Sequence, residues 1–358
     1  MQFPYRLKSV RASLPKKMKN ISIVNNIVRK IFQNITFIIF LAFRKSFTFK
    51  KILNFISINF QYLFGFTKVN GYPYILTIDP NNICNLNCIF CHTGINLADR
   101  PKGQMSFKEF KLIFDHFKDY IFILSLFLWG EPFLNEDIFR MIKYASKNKV
   151  FVSISTNLNI PSTKMKKIIE SELDYLVISL DGFDEESYQK YRKNGSFNLV
   201  IKNIKSLLKL KKDLHKKNPI IHLQHVIFKH TEKDLNRILE IDKSLNPDLI
   251  EFVRGVNGLD VRFSKKNNFL SYNNKINKTH FDLYFKCMSP WNCFVVHWDG
   301  GVSPCKHSFF KKDDFGHIST NFKQLWNNEK FIKIRKQQKN PKAIKEHTIC
   351  NDCCIFKF

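Results

Sequence analysis

From residue 72 onward, short runs rich in β-branched and aromatic residues alternate with longer amphipathic runs. The short runs predict strands at 74–79, 121–128, 150–155, 175–180, 220–228 and 249–253. The amphipathic runs predict helices at 105–118, 135–148, 161–172, 184–213 and 231–245. This alternation favours an α/β fold with a parallel sheet, rolled into a partial (β/α)6 TIM-like barrel. Reactive groups of such a barrel belong at the carboxyl ends of its strands.

Three regions with other patterns lie outside the predicted barrel, which we place at 71–260. Residues 1–70 form a basic, apolar extension that we expect to be helical, with Ile, Phe and Leu concentrated in 20–66. Residues 261–286, rich in Asn and Lys, are typical of a linker. The remaining 287–358 are predicted to form a small C-terminal domain.

The charge is unevenly placed along the chain. The formal net charge is +28, and residues 1–70 contain thirteen Lys or Arg and no acid. An acid-free basic stretch usually meets something anionic, so residues 1–66 are predicted to make peripheral membrane contact. Two alternatives remain: helices packed on the barrel with lysines facing water, and a solvated extension biased by an AT-rich genome. We expect no nucleic-acid partner.

The cellular location of the protein is predicted from two further features of the N-terminal residues. The longest early apolar run, 35–43, is too short to span a bilayer, and no secretory signal is visible. We therefore expect a cytoplasmic protein, with possible association at the inner face of the membrane.

The nine cysteines fall into two groups, an arrangement that suits metal ligation better than a disulfide scaffold. The first group, Cys84, Cys88 and Cys91, directly follows the first predicted strand. Three thiolates can hold a four-iron cluster and leave one iron open, whereas electron-transfer clusters of this type use four cysteines. Covalent haem attachment through Cys88, Cys91 and His92, or a structural zinc site, would be the alternatives.

The C-x3-C-x2-C spacing of this group resembles the signature of the radical S-adenosylmethionine (SAM) superfamily. The resemblance implies a [4Fe-4S] cluster whose open iron binds SAM. Reductive cleavage of SAM would then give a 5′-deoxyadenosyl radical that abstracts hydrogen from a substrate carbon. It also implies that Phe90 lies beside the adenine of SAM.

The residues that follow the second and third predicted strands also resemble motifs of the radical SAM superfamily. The second strand ends in Trp129-Gly130-Glu131-Pro132, where the family has Gly-Gly-Glu-Pro, and the resemblance assigns Gly130 and Glu131 to the SAM ammonium group. Asn157 follows the third strand as in the family's Thr-Asn-Gly turn, although Leu158 replaces the glycine.

The remaining strand ends give weaker assignments. Ser179 ends the fourth strand and is a candidate for cofactor contact, while Asp181 and Arg192 could form a structural ion pair instead. Gln224 and His222 share one face of the fifth strand, where Gln224 is assigned to the cofactor and core packing is the alternative. Glu251 and Arg254 are possible substrate contacts on the sixth.

The second cysteine group resembles the SPASM/twitch domains that bind auxiliary clusters. Its six cysteines fit the twitch variant with one auxiliary [4Fe-4S] cluster, and the implied ligands are Cys287, Cys305, Cys350 and Cys353. Cys293 and Cys354 stay unassigned, and a zinc ribbon is the alternative. The Asp299-Gly300 pair predicts a hairpin that brings Cys305 back towards Cys287.

Together these features predict a radical SAM enzyme that oxidises a sugar or polysaccharide precursor, with a flavodoxin or ferredoxin as reductant. A maturase of ribosomally made peptides is the alternative within the family. A non-catalytic iron–sulfur protein for electron transfer or structure is the alternative from another class. No catalytic side chain is assigned.

Overall fold

The computed structural model describes residues 47–97, 99–228, 230–254, 287–340 and 346–351. The chain divides into two units, residues 1–47 and residues 48–358, and the description below concerns the second. Several predictions therefore lie outside the described residues: those for 1–46, for the linker at 261–286, for the side chain of Arg254, and for Cys353 and Cys354.

Six parallel strands form the main sheet: β1 (Ile75–Ile78), β2 (Ile123–Ser125), β3 (Phe151–Thr156), β4 (Tyr175–Ser179), β5 (Ile220–Ile227) and β6 (Leu249–Arg254). They lie side by side in chain order, and the sheet does not close on itself within the described residues. Each lies within, or within a residue of, a predicted strand. The predicted partial barrel is confirmed.

Helices connect these strands, beginning after an N-terminal helix: α1 (Phe49–Leu63), α2 (Phe107–Phe117), α3 (Ile138–Lys147), α4 (Lys164–Glu170), α5 (Glu185–Gln189), α6 (Phe197–Asp213) and α7 (Leu235–Leu245). The helix predicted over 184–213 is in fact two, because the chain turns back between α5 and α6 to bring Arg192 against Asp181. Among the described helices, none is both long and apolar enough to cross a bilayer.

One face of the sheet is packed under the helices. The side chains on it are fully buried and apolar: Leu76, Leu124, Val152, Leu176, Ile221 and Leu223. The helices match this face with buried Phe and Ile, which is why each predicted helix shows an apolar stripe. The opposite, concave face carries polar residues such as Ser125, Ser153 and His222.

The C-terminal segment extends the same sheet. Strand β7 (Cys293–Val296) pairs in parallel with β1, and β8 (Gly301–Ser303) and β9 (Gly316–His317) follow antiparallel. The predicted hairpin joins β7 to β8, with Gly300 in the left-handed region at a φ of 85°. The pairing of β7 with β1 was not predicted from the sequence.

Arg335 holds the C-terminal helices against the rest of the unit. These helices are α8 (Ser289–Asn292), α9 (Phe322–Trp326) and α10 (Glu329–Lys339). The Arg335 side chain is fully buried and donates from Nε to the Pro290 carbonyl at 2.9 Å. It also donates to the Thr67 carbonyl at 3.1 Å, in the chain that leads into β1.

We expect Arg335→Met to destabilise the protein by about 3 kcal/mol, because two buried carbonyls would lose a charged donor. Urea unfolding followed by circular dichroism would measure the change. Arg140→Met is a matched control, since the Arg140 side chain is 65% exposed, and we expect a change within about 0.5 kcal/mol. Equal effects of the two substitutions would contradict this role of Arg335.

Candidate functional site

The loop after β1 carries the first cysteine group at the carboxyl edge of the sheet. Within it, the Cys91 amide donates to the Cys88 carbonyl at 3.1 Å, forming a tight turn. Gly94 packs against this turn, and a Cβ at position 94 would lie 2.5 Å from the Cys88 carbonyl oxygen. Burial is the main reason that the pKa of the Cys84 thiol is raised to about 12, with Glu131, Cys88 and Cys91 adding to it.

Hydrogen-bond donors surround the sulfurs of this group. Cys84 Sγ accepts from the Leu86 amide at 3.4 Å and from Asn157 Nδ2 at 3.7 Å. Cys88 Sγ accepts from the Arg192 guanidinium at 3.8 Å. Donors around a sulfur favour the thiolate, which is the form that ligates iron, so this donor set fits a cluster held by three cysteines.

Arg192 is held in place by Asp181, which follows β4. The Asp181 carboxylate is buried and accepts from Arg192 Nε at 2.7 Å, while its other oxygen accepts from the Val226 amide at 2.6 Å. The structural ion pair that the sequence left open is therefore present. It also does more than the sequence indicated, since it directs Arg192 at Cys88.

Glu131 joins the loop after β2 to the loop after β3. Its carboxylate is 2% exposed and accepts from the Thr156 hydroxyl at 2.7 Å and from the Asn157 amide at 2.8 Å. Burial raises the pKa of Glu131, and these donors act in the opposite direction. Gly130 permits a close approach to the segment after β1, because a Cβ there would lie 2.2 Å from the Asn81 carbonyl oxygen.

The two departures from the family pattern are both accommodated. Trp129 packs its ring near His92 at a centroid distance of 5.4 Å and near Phe309 at 4.6 Å. Its Nε1 donates to the Ser308 carbonyl at 3.3 Å. Leu158 occupies the left-handed region with a φ of 54°, as a glycine would, and its side chain is fully buried.

The other predicted cofactor residues lie on the same edge or on the concave face. Phe90 stacks on Tyr191 at 5.8 Å, a neighbour that the sequence did not reveal. Ser179 and Gln224 are register partners on β4 and β5, and Gln224 Nε2 donates to Glu251 at 2.9 Å. Polar side chains of three adjacent strands therefore meet at one level of the sheet.

His222 lies deeper on the same face than Gln224. Its Nδ1 shares a hydrogen bond with the Tyr175 hydroxyl at 2.7 Å. Burial lowers the pKa of His222, and the nearby Glu251 carboxylate opposes that shift. The alternative of a hydrogen-bonded core histidine therefore describes His222 better than a cofactor contact.

The described cysteines of the second group lie near one another. Burial raises the pKa of the Cys305 thiol to about 12, and the neighbouring Cys287, Cys350 and Cys293 contribute to the rise. The antiparallel register of β7 with β8, in which Val295 pairs with Ser303, places Cys293, unassigned from the sequence, at the same end of this strand pair as Cys305. Within the described residues, no three His, Cys, Asp or Glu side chains have the spacing of a single metal ion.

Lys306 connects this group to the concave face of the barrel. Its Nζ donates to the Ser125 hydroxyl at 3.1 Å and lies 4.8 Å from the centre of the Phe127 ring. Burial lowers the pKa of Lys306. The loop that follows β8 therefore reaches into the barrel from the side of β1.

Comparison with known proteins agrees with this geometry. Residues 78–241 match the model of the Radical SAM superfamily, and residues 287–354 match that of SPASM, an iron–sulfur cluster-binding domain. These matches confirm the predicted family, its [4Fe-4S] and SAM cofactors, and the presence of an auxiliary-cluster domain.

Curated relatives match over part of the chain. Mycofactocin maturase of Mycobacterium tuberculosis (strain CDC 1551 / Oshkosh) is 27% identical over 136 residues, covering 38% of this chain and 34% of that protein. Fe-coproporphyrin III synthase of Methanosarcina barkeri is 28% identical over 122 residues, covering 34% and 30%. The match therefore spans about a third of the length of these relatives.

A solved structure shows the same fold across most of the chain. SuiB of Streptococcus suis, bound to S-adenosylmethionine, is 16% identical, with a TM-score of 0.57 over 79% of this chain and 71% of that one. The same protein bound to its precursor peptide SuiA gives a TM-score of 0.55 over 74% and 67%, at 18% identity.

We expect Cys88→Ala and Cys305→Ala each to lower the iron content of the anaerobically reconstituted protein by about one cluster, because each removes a predicted cluster ligand. Iron and sulfide analysis would measure the loss. Cys293→Ala is the control: this thiol is as buried as that of Cys88 but outside the predicted ligand set, so iron content should be unchanged. If Cys293→Ala loses as much iron as Cys305→Ala, the assigned ligand set is wrong.

Proposed function

We propose that this chain, which belongs to the radical SAM superfamily and carries a SPASM domain, is an enzyme that oxidises a peptide substrate. The observation that carries the proposal is the parallel pairing of β7 with β1, which joins the segments that carry the two cysteine groups in one sheet. The loop after β1 holds Cys84, Cys88 and Cys91, and the strand beside β1 leads to Cys305. When bound, the first cluster and SAM supply a 5′-deoxyadenosyl radical for hydrogen abstraction, and an auxiliary cluster supplies an electron acceptor.

The choice of a peptide over a sugar rests on the relatives. One sequence relative is named a maturase, and SuiB has been solved with a precursor peptide. None of the three proteins described above is named for a sugar. The peptide alternative is therefore better supported than the sugar or polysaccharide precursor expected from the sequence. The relatives also include Fe-coproporphyrin III synthase, so proteins that resemble this chain are named for different classes of compound.

The side chains at the carboxyl edge are proposed to prepare the site before substrate arrives. Asn157 is proposed to bind SAM while its Nδ2 also contacts the Cys84 sulfur, which would couple the cofactor to the cysteine loop. Glu131 fixes the Asn157 amide, and this bond sets the position of the whole turn after β3. Arg192 is proposed to stabilise the Cys88 thiolate by donating a hydrogen bond from its guanidinium to the Cys88 sulfur.

The remaining predicted contacts are proposed to complete the cofactor pocket. Phe90, stacked on Tyr191, would offer an aromatic surface to the adenine. Ser179 and Gln224 face the concave side at one level, where Gln224 is already oriented by Glu251. A flavodoxin or ferredoxin is proposed as the reductant.

Cleavage of SAM tests the enzyme itself. The anaerobically reconstituted chain, given dithionite and SAM, is expected to release 5′-deoxyadenosine, detected by liquid chromatography and mass spectrometry. Cys84→Ala is expected to abolish release, because the cluster that contains the open iron would lose one of its three cysteine ligands. An intact cluster that yields no 5′-deoxyadenosine would contradict the enzyme and favour the non-catalytic iron–sulfur alternative.

Deuterium transfer tests the substrate class. A candidate precursor peptide, deuterated at its side chains, is expected to give deuterated 5′-deoxyadenosine and to lose two hydrogen atoms, at least one of them the transferred deuterium. Glu131→Gln keeps all cluster cysteines but weakens the hold on the Asn157 turn, so it should lower the yield whatever the substrate. Deuterium arriving from nucleotide sugars and not from the peptide would contradict the peptide proposal.

A further inference from the structure

Helix α1 exposes a row of large apolar residues and buries several polar ones beside Ile58 and Tyr62. Its side chains that face the protein include the polar Lys51, Asn54 and Gln61, all buried. Its exposed side carries large apolar residues instead: Phe49 (74% exposed), Leu53 (51%), Ile56 (57%), Phe60 (52%) and Leu63 (36%). We call these five residues the apolar face.

The apolar face is continuous along the helix. Its members are separated by four, three, four and three positions, which places them on one side of an α-helix. Phe64 and Phe66, exposed by 63% and 49%, continue it beyond the end of the helix. A contiguous exposed patch of this kind marks an interaction surface, whereas single exposed apolar residues are ordinary.

Hydrogen bonds fix this orientation of α1. Asn54 donates from Nδ2 to the Tyr72 carbonyl at 2.8 Å and accepts from the Tyr72 amide at 2.9 Å. Gln61 makes the same pair of contacts with Asn70, both at 2.7 Å. Rotating the helix to bury its apolar face would break four bonds to the backbone, so the exposure is built into the fold.

The apolar face lies at the amino edge of the sheet, opposite the cysteine loop. Phe55 of α1 contacts Tyr74 and Phe122 at centroid distances of 4.8 and 6.1 Å, and these residues directly precede β1 and β2. Lys51 Nζ donates to the carbonyl of Lys149, just before β3, at 3.3 Å. Helix α1 therefore covers the ends of the strands opposite the loop with Cys84, Cys88 and Cys91.

Lysines surround the same edge. Lys147 and Lys149 precede β3 and Lys216 and Lys217 precede β5, and all four are exposed. Acids lie at the same edge: Asp119, whose carboxylate is paired with Lys50 of α1 at 3.0 Å, Glu172 and Asp174 before β4, and Asp248 before β6, which is paired with Lys211. The first acid of the whole chain is Asp79, so α1 and the residues before it carry no negative side chain.

We propose that the apolar face of α1 binds an anionic lipid surface, so that the carboxyl edge with Cys84, Cys88 and Cys91 faces away from the bilayer. Phenylalanine and leucine side chains enter the boundary between headgroups and acyl chains, and nearby lysines contact the headgroups. This orientation keeps SAM, substrate and reductant on the aqueous side.

Vesicle flotation with the full-length holoprotein tests the contact. We expect co-flotation with vesicles of phosphatidylglycerol and phosphatidylcholine, and much less with phosphatidylcholine alone. The variant Ile56→Glu/Phe60→Glu is expected to lose binding by roughly tenfold or more, because two charges would enter the acyl boundary. Leu112→Glu on α2 is the matched control: Leu112 is 69% exposed but outside the apolar face. It should float like the unaltered protein.

The outcomes separate the possible occupants of this face. Unaltered flotation of Ile56→Glu/Phe60→Glu would place any lipid contact outside α1 and overturn the proposal. Absence of flotation by the unaltered protein would do the same. Light scattering decides the remaining case: a dimer that the double variant converts to a monomer, without lipid binding, would make the face an interface between two copies.

Photocrosslinking tests the orientation. Benzoylphenylalanine introduced at Phe60 is expected to form lipid adducts on anionic vesicles. The same group introduced at Leu97, exposed by 48% beside the cysteine loop, is expected to form none. Equal adduct yields at the two positions would overturn the proposed orientation. Both tests use lipid binding as the readout, so they do not depend on the substrate or on activity.

Discussion

The parallel pairing of β7 with β1 is the contact on which both cysteine groups depend. Its register runs from Ile75 with Cys293 to Ile78 with Val296, and the Asp79 amide continues it by donating to the Val296 carbonyl at 2.9 Å. The first strand leads straight into the Cys84 loop, and the second leads through the hairpin to Cys305. One register therefore fixes the relative position of two sites that are far apart in the sequence.

A buried arginine, Arg100, also joins the end of the cysteine loop to the C-terminal segment. Arg100, which ends the cysteine loop, pairs with Asp299 in the hairpin turn and with Asp314 after β8, the latter at 2.7 Å. Its side chain is 3% exposed, so both carboxylates meet it away from water, where charged hydrogen bonds are stronger. The C-terminal segment therefore contacts the region of the cysteine loop in three ways. Strand β7 pairs with β1, Asp299 and Asp314 pair with Arg100, and Phe309 packs on the Trp129 ring.

The predictable part of the molecule was the part encoded locally. Alternating strand and helix patterns gave the six parallel strands, and the cysteine spacing with Glu131 and Asn157 gave the order of the loops at their ends. The pairing of β7 with β1, the reach of Arg192 to Cys88 and the position of Cys293 depend on contacts between distant residues. No local pattern specifies the partner of such a contact, which is why the sequence left them open.

The two departures from the family pattern show how one physical requirement can be met by different residues. At Leu158 the turn keeps its left-handed backbone, and the strain of a side chain there, about 1–2 kcal/mol, is opposed by complete burial of the leucine. At Trp129 the extra ring fills the space between His92 and Phe309. In this chain the substituted position thus connects the cysteine loop to the C-terminal segment, a contact that a glycine has no side chain to make.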